Sequence, residues 1–313
     1  MITTVTLNAA IDKTYYVPRL SPESVMRVRR VFAEPGGKGI NVARVAHQLG
    51  HEVQAAGFIG GHNGRFIRQE LDRQGLRHDF IEIEGESRIC LNIIDESDGS
   101  STELLEPGPV VDAEAMERLT VKLRRLAAQS RVVCLSGSLP AGVPAGFYAE
   151  LIGLAKREGA AVFLDTSGEA LLRGAEAAPQ LIKPNEAELA QLIGRPIGQS
   201  PADIAEQLAS LSPERMSAAC ITVSLGADGS LTYYGGAYYR TYAPRIEAVN
   251  TVGCGDAFIA GMAVCMAEDL PIEEALRLAT AAGSANALNE KAGYVNPEQV
   301  RELLTQVAVE RLQ

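Results

Sequence analysis

Asp256 closes the segment Asn250-Thr251-Val252-Gly253-Cys254-Gly255-Asp256, just before an apolar stretch that opens at Ala257. Small residues let a ligand approach the backbone closely. Successive N–H groups at a helix start, with the helix dipole behind them, favour an anion there. A carboxylate in that first turn suits a general base that deprotonates a hydroxyl while a phosphoryl group is held nearby. The plain structural alternative is that Gly253 and Gly255 shape a turn and Asp256 caps the helix. Spacing alone leaves both open.

Four further segments could carry chemistry. Gly36-Gly37-Lys38-Gly39-Ile40-Asn41 offers flexible backbone, one cation and one amide at a helix start, which suits a polyol or a phosphorylated sugar. It is no Walker A loop, because no Ser or Thr follows the lysine. A turn with a solvated lysine reads equally well. In Lys183-Pro184-Asn185-Glu186-Ala187-Glu188, Asn185 and Glu188 stand at capping-box spacing. The functional alternative is that the pair holds Mg²⁺ through water, since Mg²⁺ keeps several waters. Ser224-Leu225-Gly226-Ala227-Asp228-Gly229 can carry nucleotide phosphates or simply turn the chain. Ser136-Gly137-Ser138-Leu139-Pro140 follows a strand-like run, where an open α/β sheet binds substrate, and it lacks the GxSxG of a hydrolase. The four histidines, His47, His51, His62 and His78, lie in one short region with no acid or thiol completing a metal site. They read as surface or interface residues, which argues against a zinc or Ser-His-Asp enzyme.

Positioning such groups needs a scaffold, and the chain is long enough for a large core: 313 residues, 46% hydrophobic and 22% charged. A net charge of −10 disfavours non-specific nucleic-acid binding, which depends on clustered cations. The clearest apolar run, 257–267, is too short to span a bilayer, and no secretion signal is visible at the N-terminus. Five cysteines without a CxxC pair point to free thiols and a cytoplasmic protein. From residue 107 onward, strand-like and helix-like stretches alternate, predicting a parallel sheet covered on both faces. Early strands without intervening helices do not fit that sheet. The expected α/β architecture is therefore three-layered, with a mainly parallel central sheet in a major domain (1–9, 37–87 and 107–313). A discontinuous small β lid (10–36 and 88–106) should cover a site at the carboxyl ends of the main strands.

Taken together, the early Asp12, GGKGIN, SGSLP, KPNEAE, SLGADG and NTVGCGD resemble the ribokinase-like (PfkB) carbohydrate kinases over essentially the whole chain. TVTLNAAID, GFIGG, GESR and SGSLP resemble the phosphohexose branch, the 1-phosphofructokinases and tagatose-6-phosphate kinases. That resemblance implies transfer of the γ-phosphoryl of ATP, with Mg²⁺, to a sugar that already carries one phosphate. It implies Asp256 as base and Gly253, Cys254 and Gly255 as an anion hole. Asp12 and Asn41 would contact sugar hydroxyls beside Gly37 and Gly39. Lys38 and Arg88 would meet the sugar phosphate, helped by Ser138. Lys183, Asn185 and Glu188 would face ATP and Mg²⁺. Ser224, Gly226 and Gly229 would form the nucleotide loop, with Asn286 near the adenine. A homodimer joined through the lids is the family expectation. A free-sugar or nucleoside kinase of the same fold, and a non-catalytic sugar-phosphate sensor, are the alternatives. Two departures stand out: Cys254 replaces the usual Ala or Ser, and Arg88-Ile89-Cys90 lacks an Asn two places after the arginine. The second, with Ala292-Gly293-Tyr294-Val295-Asn296, leans toward the tagatose type. A thiol at a helix start is expected to have a lowered pKa and to sensitise the protein to oxidants.

Overall fold

A computed structural model describes residues 1–198, 200–209 and 218–312. In chain order the first half forms β1 (Ile2–Thr6), β2 (Ala10–Val17), β3 (Arg30–Gly36), α1 (Lys38–Gln48), β4 (Val53–Gly60), α2 (Gly61–Arg73), β5 (His78–Ile83), β6 (Arg88–Asp95) and β7 (Ser101–Leu105). There follow α3 (Ala113–Ala127), β8 (Val132–Ser136), α4 (Phe147–Arg157), β9 (Ala161–Asp165), α5 (Gly168–Glu176), β10 (Leu181–Ile182), α6 (Glu186–Ile193) and α7 (Pro201–Ala209). The last part forms β11 (Cys220–Ser224), β12 (Ser230–Tyr234), β13 (Ala237–Tyr242), α8 (Cys254–Ala267), α9 (Ile272–Ala287), α10 (Pro297–Leu304) and β14 (Ala308–Leu312). Among the described residues no helix is long and apolar enough to cross a membrane.

Ten strands make the main sheet in the order β14-β13-β12-β11-β10-β9-β8-β1-β4-β5. It is parallel from β5 to β11, and an antiparallel extension of β12, β13 and, after three helices, β14 lengthens one edge. β1 reads ITTVT, β-branched and buried throughout, as a central strand covered on both faces must be. Alternate residues feed two cores. Ile2, Val132, Cys134 and Phe163 join the layer under α1, α8 and α9, whereas Val5, Val133, Leu135 and Leu164 join the layer under α3 and α4. Helix α8 is apolar nearly all round, as suits a helix enclosed on every side. It meets α9 at Gly261, where a Cβ would lie 2.6 Å from the Ala279 Cα, so only glycine allows this approach.

The second sheet has four strands in the order β3-β2-β6-β7. Its strands come from the two segments expected for the lid. It is mixed, with β2 and β6 parallel and the outer pairs antiparallel. Asp12, Cys90 and Leu105 sit side by side across it in register, so they share the face that looks onto the carboxyl ends of the main strands. The polypeptide leaves this sheet at Gly36 and enters α1 directly. The lid is thereby fastened to the helix that carries Lys38 and Asn41.

Candidate active site

Two cavities open side by side, and only the first is walled by the small sheet. The first, about 390 Å³, is walled by Asp12, Asn92 and Glu103 from the lid, Lys38 and Asn41 from α1, Arg88, Ser138, and the turn at Gly253–Asp256. The second, about 600 Å³, lies between Lys183, Ser224–Gly229, the segment 243–251 and α9. Gly255 lines both. The glycine turn is thus the wall the two cavities share.

That turn has no room for side chains at its glycines, and its Cys254 N–H is bonded to the Thr251 carbonyl at 3.3 Å. Gly253 has φ +85°, a conformation only glycine adopts without strain, and a Cβ there would lie 2.7 Å from the Gly293 nitrogen. A Cβ on Gly255 would lie 3.1 Å from the Lys183 Nζ, so an ammonium stands directly over the turn. Asp256 follows in the first helical turn, 5% exposed, and accepts a hydrogen bond from Asn41 Nδ2 at 2.8 Å. Burial pushes its carboxyl up to about 7, against the pull of Lys38. A carboxylate poised there can take a proton near neutral pH.

Lys38 donates to Asp165 Oδ1 at 3.0 Å, and Lys183 approaches the same oxygen at 3.8 Å. Burial alone would raise the Asp165 carboxyl, but Lys183 and Lys38 outweigh it and hold it below its ordinary value. For Lys38, burial opposes the charge, yet Asp165 and Asp256 together keep its pKa above the usual lysine value. Two lysine side chains therefore flank the shared wall, and Lys38 stays charged. Asp12 lies across the first cavity. Loss of solvent lifts its carboxyl to about 6, while Arg44, Arg88 and the Gly37 N–H pull the other way. Arg88 donates through Nε to the Asn8 carbonyl at 3.2 Å, and Ser138 Oγ accepts from Asn8 Nδ2 at 3.3 Å.

Some expectations change. Gly39 does not line either cavity. It is buried under β1, where a Cβ would lie 2.5 Å from Thr6 Oγ1, so it serves helix–strand packing. Asn286 is fully buried and does not reach the nucleotide side. Its Nδ2 donates to the Val252 carbonyl at 2.8 Å, and its Oδ1 accepts from the Gly293 and Tyr294 N–H groups at 2.8 and 3.2 Å. It clamps the glycine turn from behind. Cys254 is no low-pKa thiol: burial and the nearby Asp256 carboxyl push it up, which removes the basis for oxidant sensitivity. Asn185 and Glu188 form the complete capping box of α6. The Asn185 side chain is thereby occupied, whereas Glu188 Oε2 takes one N–H and remains partly exposed within the field of Lys38.

The sequence reading missed Asp165, Asn8 and Arg44. Asp165 had a legible signal: a carboxylate at the end of the buried run Ala161–Asp165, on the strand end where open sheets bind ligands. Arg44 had none, because a helical arginine normally reads as solvated surface.

The fold and the two adjoining cavities define a sugar-kinase architecture, and comparison with known proteins agrees. Residues 5–299 match the pfkB family carbohydrate kinases. A tagatose-6-phosphate kinase of Staphylococcus epidermidis is 35% identical, with 99% of each chain covered. Phosphofructokinase-2 from Escherichia coli in complex with fructose-6-phosphate is 28% identical, with TM-score 0.90 over 97% of this chain and 98% of that one. The tetrameric inhibited form of the same enzyme is 29% identical, with TM-score 0.89 and the same coverage. The chain belongs to the pfkB family of carbohydrate kinases.

Proposed function

We propose that this kinase moves the γ-phosphoryl group of ATP onto a hydroxyl of a ketohexose monophosphate, giving the bisphosphate and ADP. The observation that carries the reading is the shared wall: one cavity suited to a polyol and one suited to a nucleotide meet at Gly255, next to a buried carboxyl poised near 7. The 35% identity to a tagatose-6-phosphate kinase supports a phosphorylated ketohexose as acceptor.

The step needs little covalent help. The ionised Asp256 accepts the proton of the attacking hydroxyl. The new O–P bond forms as the bond to the β-phosphate oxygen breaks, and ADP leaves with that electron pair. The N–H groups of Gly253, Gly255 and Asp256 receive the charge on the transferred group, while that of Cys254 holds the Thr251 carbonyl, with Lys38 and Lys183 on either side. Asp12 and Asn41 orient the sugar, and Arg88 with Ser138 meets its existing phosphate. Lys38 is thereby assigned to the moving phosphoryl group rather than to that phosphate, because it reaches Asp165 and feels Asp256. Mg²⁺, when bound, adds positive charge to the nucleotide phosphates. Glu188, with its partly exposed carboxylate, would hold that ion through water, and Asn185 would serve by holding the Glu188 geometry. Five free cysteines accord with a cytoplasmic setting.

A screen of ADP release over tagatose 6-phosphate, fructose 6-phosphate, fructose 1-phosphate, free hexoses, ribose and adenosine tests the reading. Turnover on a phosphohexose, abolished by Arg88→Ala, is expected. Preferential turnover of an unphosphorylated sugar or nucleoside contradicts it, and no ADP release from any acceptor leaves a binding protein.

A further inference from the structure

Arg44 is 2% exposed and lies three residues after Asn41 on α1, so the two side chains share a face. Its hydrogen-bond partners among the described residues are all neutral, and the one carboxyl whose proton it loosens from nearby, Asp12, makes no hydrogen bond to it. Nε donates to Gln74 Oε1 at 2.9 Å, Nη1 to Asn41 Oδ1 at 3.0 Å and to the Ala292 carbonyl at 3.3 Å, and Nη2 to the Pro35 carbonyl. The guanidinium lies 4.7 Å from the Tyr294 ring centroid. Burying a guanidinium on neutral groups is costly, and a packed apolar residue would be cheaper to accommodate. Such a charge calls for a role.

Arginine can only donate. Whatever atom meets Nη1 must accept, so Asn41 is obliged to turn its Oδ1 to Arg44 and its NH₂ to Asp256. The reversed amide would set an oxygen against the Asp256 carboxylate. Gly293 seals the arrangement, since a Cβ there would lie 2.7 Å from Asn41 Oδ1 and 2.9 Å from Arg44 Nη1. The other contacts reach outward. Pro35 belongs to lid strand β3, and Tyr294, stacked on Arg44, donates its hydroxyl to Glu34 of the same strand at 2.5 Å. Ala292 precedes the residue that Asn286 grips behind the glycine turn.

We propose that Arg44 is a positioning residue for phosphoryl transfer: it locks the Asn41 amide with its donor end toward Asp256 and fastens the root of the lid to that same amide. The inference rests on Asp256 being the base. The charged groups facing Asp256 are Lys38 from α1, Asp165 from the end of β9 and Lys183 following β10. Those facing Asp12 are Arg44, Arg88 and Glu103, with the Cys90 thiol alongside. Removing the lock leaves the ionic neighbours of Asp256 in place and takes away the neutral donor that Asn41 supplies. The proton then binds more tightly to the base, and the acidic limb of the rate profile moves to higher pH.

The test is steady-state kinetics from pH 5 to 9 on Arg44→Met, Arg44→Lys, Asn41→Leu and the Arg44→Lys/Asn41→Leu double variant, with Asp256→Asn alongside. Arg44→Met and Asn41→Leu are expected to lose about 10- to 100-fold in kcat, the scale of a displaced polar contact in a reacting site, with the KM for ATP little changed. Their acidic limbs move upward. Arg44→Lys, which keeps a donor but not the fork, falls between them and wild type. The double variant is no slower than Asn41→Leu, because both changes release one lock. If Arg44→Met does not fold, the lysine variant and the double variant decide the matter. Wild-type kcat and acidic limb in a folded Arg44→Lys, or multiplicative losses in the double variant, overturn the proposal. Full turnover by Asp256→Asn would overturn the base assignment itself. An inactive Asp256→Asn with unaltered Arg44 variants would overturn the lock alone.

Discussion

Asp256 shows how the surroundings of one residue trade stability for reactivity. Burial lifts its carboxyl from 3.8 to about 7, and Asp12 rises from 3.8 to about 6 for the same cause. Both groups bind protons more tightly in the folded than in the unfolded chain. The stability this gives is complete below about pH 4 and is lost as pH rises through the folded values. Ionised Asp256 at pH 8 therefore strains the fold, and Asp256→Asn, neutral and of equal shape, should melt at a higher temperature than wild type there. The difference should shrink on acidification to pH 5. Equal melting temperatures at pH 8 would show that the carboxylate is not strained. The type and place of Asp256 and Asn41 were legible in the sequence because each sits near a glycine-rich helix start, whereas Asp12, inside β2 between Ile11 and Lys13, was legible only through the family resemblance. The roles of Arg44 and Asn286 were not legible, since they depend on tertiary contacts that include Gln74 and Val252, 30 and 34 residues away.

The elements place these groups through close backbone approaches. Gly253 enters α8 at φ +85°, and Asn286 from α9 holds that entry through the Val252 carbonyl and the Gly293 N–H. Gly253→Ala adds a Cβ against the Gly293 nitrogen and forces a left-handed alanine, which costs about 1–2 kcal/mol. Turnover should fall further than stability, by about 10²-fold, because the turn's donors move relative to the moving phosphoryl group. Differential scanning calorimetry with kcat measurement checks both, and near-wild-type kcat would detach the turn from the chemistry. Most elements around the site were readable from periodicity and breakers, α8 and α9 most clearly. Helices α5, α7 and α10 and strand β14 were not. α5, Gly168–Glu176, keeps a helical stripe of Ala170, Leu171 and Ala175 but is only nine residues long and opens on glycine, and β14, Ala308–Leu312, carries charges on an exposed edge. The first turns of α1 and α2 were missed for a similar reason, because glycine occupies both N-caps.

At the scale of the whole molecule, the small sheet lines the site with one face and offers the other outward. By register, Val31, Tyr15, Ile93 and Leu104 lie on the face opposite Asp12, with Val31 and Leu104 each 56% exposed. Apolar side chains in that setting suit burial against a second copy, and we propose a homodimer joined there. Leu104→Glu should shift the elution of the chain in size-exclusion chromatography with light scattering from dimer to monomer; a wild-type monomer would contradict the assignment. The two-sheet organisation was foreseeable because strands 10–36 and 88–106 lack the helices a parallel crossover needs. Their mixed pairing was not, because nothing in the sequence says that β2 lies between β3 and β6. Every scale converges on the carboxyl beside the glycine turn. The most direct measurement is the rate of phosphoryl transfer by Asp256→Asn at saturating ATP and sugar phosphate, with ATP affinity measured separately by calorimetry. The account predicts unchanged ATP affinity and turnover lower by about 10²–10⁴-fold; turnover within a few-fold of wild type would contradict it.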